Sequence, residues 1–194
     1  QSELIKAVLD NCLMCKACKN ECPSNVDISK LKSEALQHYY DANGYNVSTL
    51  LVSYLPRLQA MASIAPFLYN WVVSCGFTSK ILKNILGFAP ERTLPKIHNC
   101  NFEKEIKQHS QKSFKKTIYL FIDEFSRYQD TEIAKTTIKL FSVLGYKVKK
   151  APIKDSGRTA ISKGMLKRAK QIANKNIKTL LPLIDETTPL VGIE

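Results

Sequence analysis

Apolar residues recur at helical spacing from the start of the chain. Leu4, Ile5, Val8 and Leu9 predict a short helix over Ser2 to Asn11. Asp27 is a good N-cap for a second helix running to about Asn43, with Ile28, Leu31, Ala35 and Tyr39 along one face. Gly44 can end it with a left-handed residue. Residues 47 to 87 are helical in pattern and unusually apolar, with no charge from Leu58 to Ser79. A membrane span needs about 20 predominantly apolar residues, and this stretch is interrupted by Pro56, Pro66, Gly76 and several polar side chains. It reads as two or three buried helices, with Phe67, Tyr69 and Trp71 as core aromatics. The alternative is a helix pair docking on a partner or a membrane surface.

Pro90 to Phe114 has little periodicity and reads as an extended linker. The pattern then changes. Thr117 to Ile122 is a continuous apolar, β-branched and aromatic run, as in a buried parallel strand. Asp130 caps a predicted helix to about Leu144, with Ile133, Ile138, Phe141 and Leu144 inward and Gly145 as the stop. Tyr146 to Ala151 is a second strand. A longer helix follows from Ser162 or Gly164 to about Leu181, with Leu166, Ala169, Ile172, Ala173, Ile177 and Leu180 on one face. Leu190 to Ile193 is a third strand. Strand, helix, strand, helix, strand implies a small parallel sheet. The predicted class is α+β: an all-α helical part over residues 1–113, then a small α/β parallel-sheet part over 114–194. Both chain ends, Gln1-Ser2-Glu3 and Gly192-Ile193-Glu194, read as cuts through a longer polypeptide.

With 44% hydrophobic and 24% charged residues in 194, the chain has the composition of a soluble globular protein with real cores. Its net charge is +12 and its isoelectric point about 9.4. That charge suits a solvated lysine-rich surface first, then an acidic partner or anionic headgroups. Nucleic acid is not an expected partner, because the basic residues are scattered and no nucleic-acid-binding motif accompanies them.

Four of the six cysteines fall between Cys12 and Cys22, too close for a network of loop-closing disulfides. A reducing cytoplasm, where thiolates stay free for metal, fits better. The run is Cys12-x2-Cys15-x2-Cys18-x3-Cys22-Pro23, the spacing of a bacterial ferredoxin-type 4Fe–4S ligand run. Three closely spaced thiolates on a tight loop can reach three corners of a cubane, and the fourth leaves in another direction beside Pro23, which fixes its own φ and has no N–H. Lys6, Lys16 and Lys19 would offset the negative charge of a thiolate-ligated cluster. Zinc is the main competitor, but zinc sites usually pair two separated knuckles or mix Cys with His. In two-cluster ferredoxins the fourth cysteine of a run serves the other cluster. Cys12, Cys15 and Cys18 would then share a cubane with a cysteine from a second run, and Cys22 would serve the partner cluster. No second run is present in this sequence.

Other candidates are fewer. Cys75 reads as a small buried hydrophobe in an apolar helix, and Cys100 lies in the linker. Asp123 and Glu124 sit at the end of the first predicted strand, where open α/β sheets place their sites. An N-cap or a solvated strand end explains them more simply. His38, His98 and His109 are scattered without a paired nucleophile, so no catalytic residue is assigned.

The stretch Leu9 to Asp27, then Lys30 to Ala35, Gly87 to Pro95, Gly157-Arg158, Gly164 to Leu166 and Val191 to Glu194, resembles the C-terminal iron–sulfur region of large FAD-linked dehydrogenases. These fuse a D-lactate or D-2-hydroxyglutarate dehydrogenase-like flavoprotein to a two-cluster ferredoxin domain. The resemblance implies an upstream FAD domain and a second cluster run as partners in the parent chain. It implies electron transfer from flavin through 4Fe–4S clusters to a quinone or other acceptor. The parent would be cytoplasmic or peripheral at the inner face of the membrane. The last part resembles the cysteine-rich CCG domains of glycolate oxidase and heterodisulfide reductase subunits, but Asp155-Ser156-Gly157-Arg158 stands where those carry paired cysteines. This chain alone, without flavin or a dinucleotide-binding loop, is expected to lack dehydrogenase activity. The competing expectation is a basic docking module whose cluster site is inactive.

Overall fold

A computed structural model describes residues 2–110 and 113–193. Gln1 and Glu194, which open and close the sequence, lie outside the described residues. The elements are α1 (Ser2–Asp10), α2 (Ala17–Glu21), α3 (Ile28–Asn43), α4 (Val47–Ser53), α5 (Leu55–Ala62), α6 (Pro66–Ser74), α7 (Gly76–Leu86), α8 (Phe102–His109), β1 (Lys116–Phe121), α9 (Glu124–Tyr128), α10 (Thr131–Val143), β2 (Tyr146–Lys150), α11 (Arg158–Ser162), α12 (Leu166–Leu180) and β3 (Leu190–Gly192). The class is α+β, with a parallel three-stranded sheet in the order β2-β1-β3. The chain forms two compact units: Gln1–Leu55 with Gly157–Ile172, and Pro56–Ser156 with Ala173–Glu194. This partition by contact differs from the expected one at residues 113 and 114.

In the first unit, the Asp27 carboxylate accepts from the Lys30 amide at 3.2 Å and so caps α3, while Gly44 ends it at φ 78°. The buried stripe of α3 is Ser29, Lys32, Ser33, Leu36, Gln37 and Tyr40. It is not the predicted row, in which Leu31 is exposed. The reason lies in what α3 packs on. Gly164, at φ 70°, brings its backbone against Leu36, and a Cβ there would collide with the Leu36 side chain. Facing backbone rather than an apolar sheet, the stripe needs polar side chains to satisfy it. The Gln37 carbonyl accepts from the Lys167 amide at 3.1 Å, and the Ser33 hydroxyl lies 3.4 Å from the Ile161 carbonyl. Ala160, Met165 and Ala169 form the small apolar core beside Tyr45 and Ile172.

In the second unit, β1 is the central strand. Lys116 to Leu120 pair with Tyr146 to Lys150, and Tyr119 to Phe121 with Leu190 to Gly192. Ile118, Leu120 and Ile122 are buried with Val148, Ala134, Ile138 and Phe102. The inward stripe of α10 is Thr131, Ala134, Ile138 and Ser142, whereas Ile133 and Leu144, predicted inward, are exposed. Ala134 and Ser142 are small enough to let the helix lie close to its neighbours. Likewise Ile177 of α12 is exposed and Leu180 buried.

The stretch predicted as an extended linker contains α8. Asn101 caps it by accepting from the Lys104 amide at 3.1 Å, and Phe102 and Ile106 enter the sheet core. Ile97 is buried too. Its backbone exchanges a pair of hydrogen bonds, 2.8 and 2.9 Å, with the side-chain amide of Asn70 in α6.

The apolar stretch departs furthest from expectation. Phe67 is 85% exposed, Ile64 84% and Trp71 56%, so neither Phe67 nor Trp71 is a core aromatic. Pro56, Pro66 and Gly76 chop the stretch into short helices. The inward positions of α5, α6 and α7 are Pro56, Gln59, Val73 and Ser79. The inward stripes are too narrow for the apolar residues supplied, and the surplus faces outward. Among the described residues no helix is long and apolar enough to cross a membrane.

Candidate metal centre

The cysteine run lies between the end of α1 and the start of α3. The Cys12 amide donates to the Leu9 carbonyl at 3.0 Å as α1 unwinds. The chain then turns twice through left-handed residues, Met14 at φ 56° and Lys16 at φ 62°, and once more at Asn25, φ 55°. Among the described residues these are the non-glycine positions with positive φ. For Met and Lys the conformation costs about 1–2 kcal/mol each, and such strain collects at functional sites. These turns hold Cys12, Cys15 and Cys18 on a tight loop, as C-x2-C steps require. The short α2 carries Cys18, and its C-cap is Cys22.

Two sulfurs have amide donors. The Met14 amide lies 3.4 Å from the Cys12 Sγ. The backbone amides of Val26 and Ser24 hold the Cys22 thiol below its ordinary value. Donors aimed at sulfur stabilise thiolate and tune a bound metal. Cys15 is exposed, the other three are half-buried, and all four are free thiols. Among the described residues, however, no three His, Cys, Asp or Glu side chains are gathered to hold a metal ion. The four thiols share a loop but do not converge on one point. In donor type, amide donors and backbone turns, the loop fits a thiolate-ligated cluster.

Two positive groups near the loop escaped the sequence reading. Lys32, on the buried stripe of α3, donates to the Cys12 carbonyl at 2.8 Å. Burial first, and then the charge of Lys32, hold the Lys163 amine below its ordinary value. Lys6 is paired with Asp10 at 2.6 Å. Lys6, Lys32 and Lys163 thus crowd positive charge in this unit with Asp10 among them. The only sequence signal was a lysine falling on a helix face with buried neighbours.

The remaining candidates are structural. Cys75 is not inside a helix: it joins α6 to α7, where the Thr78 amide and hydroxyl hold its thiol below the ordinary value. Cys100 packs against the sheet core, and burial pushes its thiol up. Asp123 caps α9 by accepting from the Ser126 amide at 2.7 Å. Glu124 is fully buried, not at a solvated strand end, and accepts from the Ser156 hydroxyl at 2.8 Å and amide at 3.1 Å. Ser156 therefore satisfies a buried carboxylate. His38 and His98 are exposed and His109 half-buried.

Fold and loop together define an α+β chain with a ferredoxin-spaced cysteine run, one thiol exposed and three half-buried, on a strained turn. The chain is similar to D-2-hydroxyglutarate dehydrogenases, as the sequence resemblance implied. It is 24% identical over 205 residues to that of Escherichia coli (strain K12), 25% over 207 to that of Haemophilus influenzae and 26% over 196 to that of Pseudomonas putida. These matches cover 100%, 100% and 94% of this chain but 20%, 20% and 19% of those proteins. The chain thus spans about a fifth of the length of these relatives. No family model and no solved structure matches it.

Proposed function

We propose that this chain is the electron-transfer portion of an FAD-dependent 2-hydroxyacid dehydrogenase, with D-2-hydroxyglutarate, the substrate in the relatives' name, as the hydroxy acid. The observation that carries the reading is the cysteine run on its strained, amide-lined loop. Cys12, Cys15, Cys18 and Cys22 are the thiolates that would hold 4Fe–4S iron. When bound, such a cluster accepts and gives single electrons. The Val26 and Ser24 amides favour the thiolate of Cys22, and Lys6, Lys32 and Lys163 supply the compensating positive field. Cys12, Cys15 and Cys18 act with a cysteine from a second run elsewhere in the parent, and Cys22 serves the second cluster. FAD belongs to the parent's other domains, a quinone or similar carrier is the acceptor, and the assembly is cytoplasmic or peripheral at the inner face of the membrane.

The test is anaerobic purification of this chain, and of a longer polypeptide containing a second cysteine run, with iron, sulfide and zinc analysis and EPR. The expected result is a labile or absent cluster in this chain and two in the longer one. Zinc in place of iron in both would overturn the reading. A stable, full 4Fe–4S complement in this chain alone would overturn the sharing of ligands.

A second reading, a docking module for a redox partner or a membrane surface, is favoured by the exposed apolar faces of α5 to α7.

A further inference from the structure

We infer that the outer face of α5 to α7 is a docking surface for an anionic lipid bilayer. This specifies the docking reading and is independent of metal. On α6 the exposed residues Phe67, Leu68 and Trp71 share one face, Trp71 lying four residues after Phe67 and three after Leu68, and Ile64 is exposed in the turn just before them, so the outside of α6 is apolar. On α7 the exposed residues Phe77, Ile81 and Ile85 lie four apart, in line. An apolar face of this density on a folded chain marks an interaction surface.

Charge selects the occupant. No Asp or Glu occurs between Asp41 and Glu91, while Arg57, Lys80 and Lys83 do. Lys80 and Lys83 line a groove of about 500 Å³ whose other walls are Ile81, Asn84, Phe88 and Pro90. Lys83 fixes one end of it by donating to the Pro90 carbonyl at 2.7 Å. Amines beside an apolar floor match a phosphate headgroup above its acyl chain. A protein partner fits less well, since the cores of protein interfaces are depleted in lysine. Lysines flanking an apolar stripe that contains Trp and Phe are the pattern of helices lying in a lipid interface. The helices lie on the bilayer rather than across it: the eleven residues of α7 reach about 16 Å of a hydrocarbon core about 30 Å thick.

Trp71 is the chain's only tryptophan, so its fluorescence reports this face alone. The 194-residue chain is titrated with vesicles of phosphatidylcholine mixed with phosphatidylglycerol, and with phosphatidylcholine alone. The expected result is a shift of Trp71 emission to shorter wavelength on the anionic vesicles, with co-sedimentation that falls as salt is raised. The double variant Lys80→Glu, Lys83→Glu should weaken binding about tenfold or more. Phe67→Ser with Phe77→Ser should weaken it as much, with an unchanged far-UV spectrum. Emission unmoved by anionic vesicles overturns the inference, and that measurement needs no variant to fold. Trp71 shielded from acrylamide before lipid is added overturns it too. It would give the face to a second copy if the chain runs as a dimer, or to the remaining chain if seen in a longer polypeptide. Iron content does not enter the readout, so failure here leaves the cluster reading untouched.

Discussion

The strands of the sheet and the cysteine loop make opposite use of their residues. On β1 and just past its end, Ile118, Leu120 and Ile122 alternate inward and are closed over by Phe102, Ala134 and Ile138. That region is complete in its own contacts. The loop from Cys12 to Cys22 exposes Cys15, buries no residue of α2 and spends backbone strain at Met14 and Lys16. A sheet core is held by what it contains. The loop is left with an exposed thiol and strained backbone, the features that the proposed metal site would use. Substitutions should therefore act on stability in one region and on metal content in the other.

The largest loss of stability is expected where backbone meets side chain without room. Gly164→Val adds a branched side chain at φ 70° and a Cβ that collides with Leu36. Strain and overpacking together should cost about 3 kcal/mol or more, read as lost protection of α3 in hydrogen exchange. Ile138→Ala tests the sheet side. Ile138 is fully buried, and a cavity there should cost about 2–5 kcal/mol by urea denaturation. Iron retained in the longer polypeptide should not change. If Ile138→Ala released iron while Gly164→Val did not, the contrast between the regions would fail. Asn101→Ala removes the α8 cap and should cost about 1 kcal/mol, seen in the denaturation midpoint.

A pH titration gives a smaller effect with a definite sign. Burial and the Lys32 charge hold Lys163 below the ordinary lysine pKa in the folded chain. Between the folded and the ordinary value, the unfolded chain binds more protons. Stability therefore rises with pH across that alkaline window, and below it the penalty is fully present. Lys163→Gln should raise the melting temperature modestly at neutral pH and flatten the alkaline rise. A rise that survives the substitution would place its origin elsewhere.

What was legible follows from the same physics. Strand β1 announced itself because both its faces are covered, which leaves a continuous apolar run. Asp27 and Gly44 were legible because a cap and a positive φ each demand a short list of residues. The cysteine spacing was legible because it is local. The face of α3 was not, since it packs on the backbone around Gly164, more than a hundred residues away, and its buried side chains are mostly polar. Helix α8 hid because Phe102 and Ile106 carry its burial among charged neighbours. The outward turn of Phe67 and Trp71 was invisible to hydropathy, which counts apolar residues but not the inward positions available to them. Lys32 and Lys163 could be joined to the loop only through the fold.

Cys15→Ser should have the smallest effect on stability and the clearest on chemistry. Cys15 is exposed, and an exposed substitution of this kind shifts stability by less than about 0.5 kcal/mol. The melting curve of this chain should not move. In the longer polypeptide, removing one of four closely spaced thiolates should leave one cluster incomplete, and iron per chain should fall by about half if each cluster draws on its own ligands. Cys22→Ser separates the two ligand schemes. If Cys22 serves the partner cluster, it and Cys15 should perturb different EPR signals. If all four cysteines serve one cluster, they should perturb the same one. An unchanged iron content in both variants would show that the strained loop holds no iron, and its turns would then need another explanation.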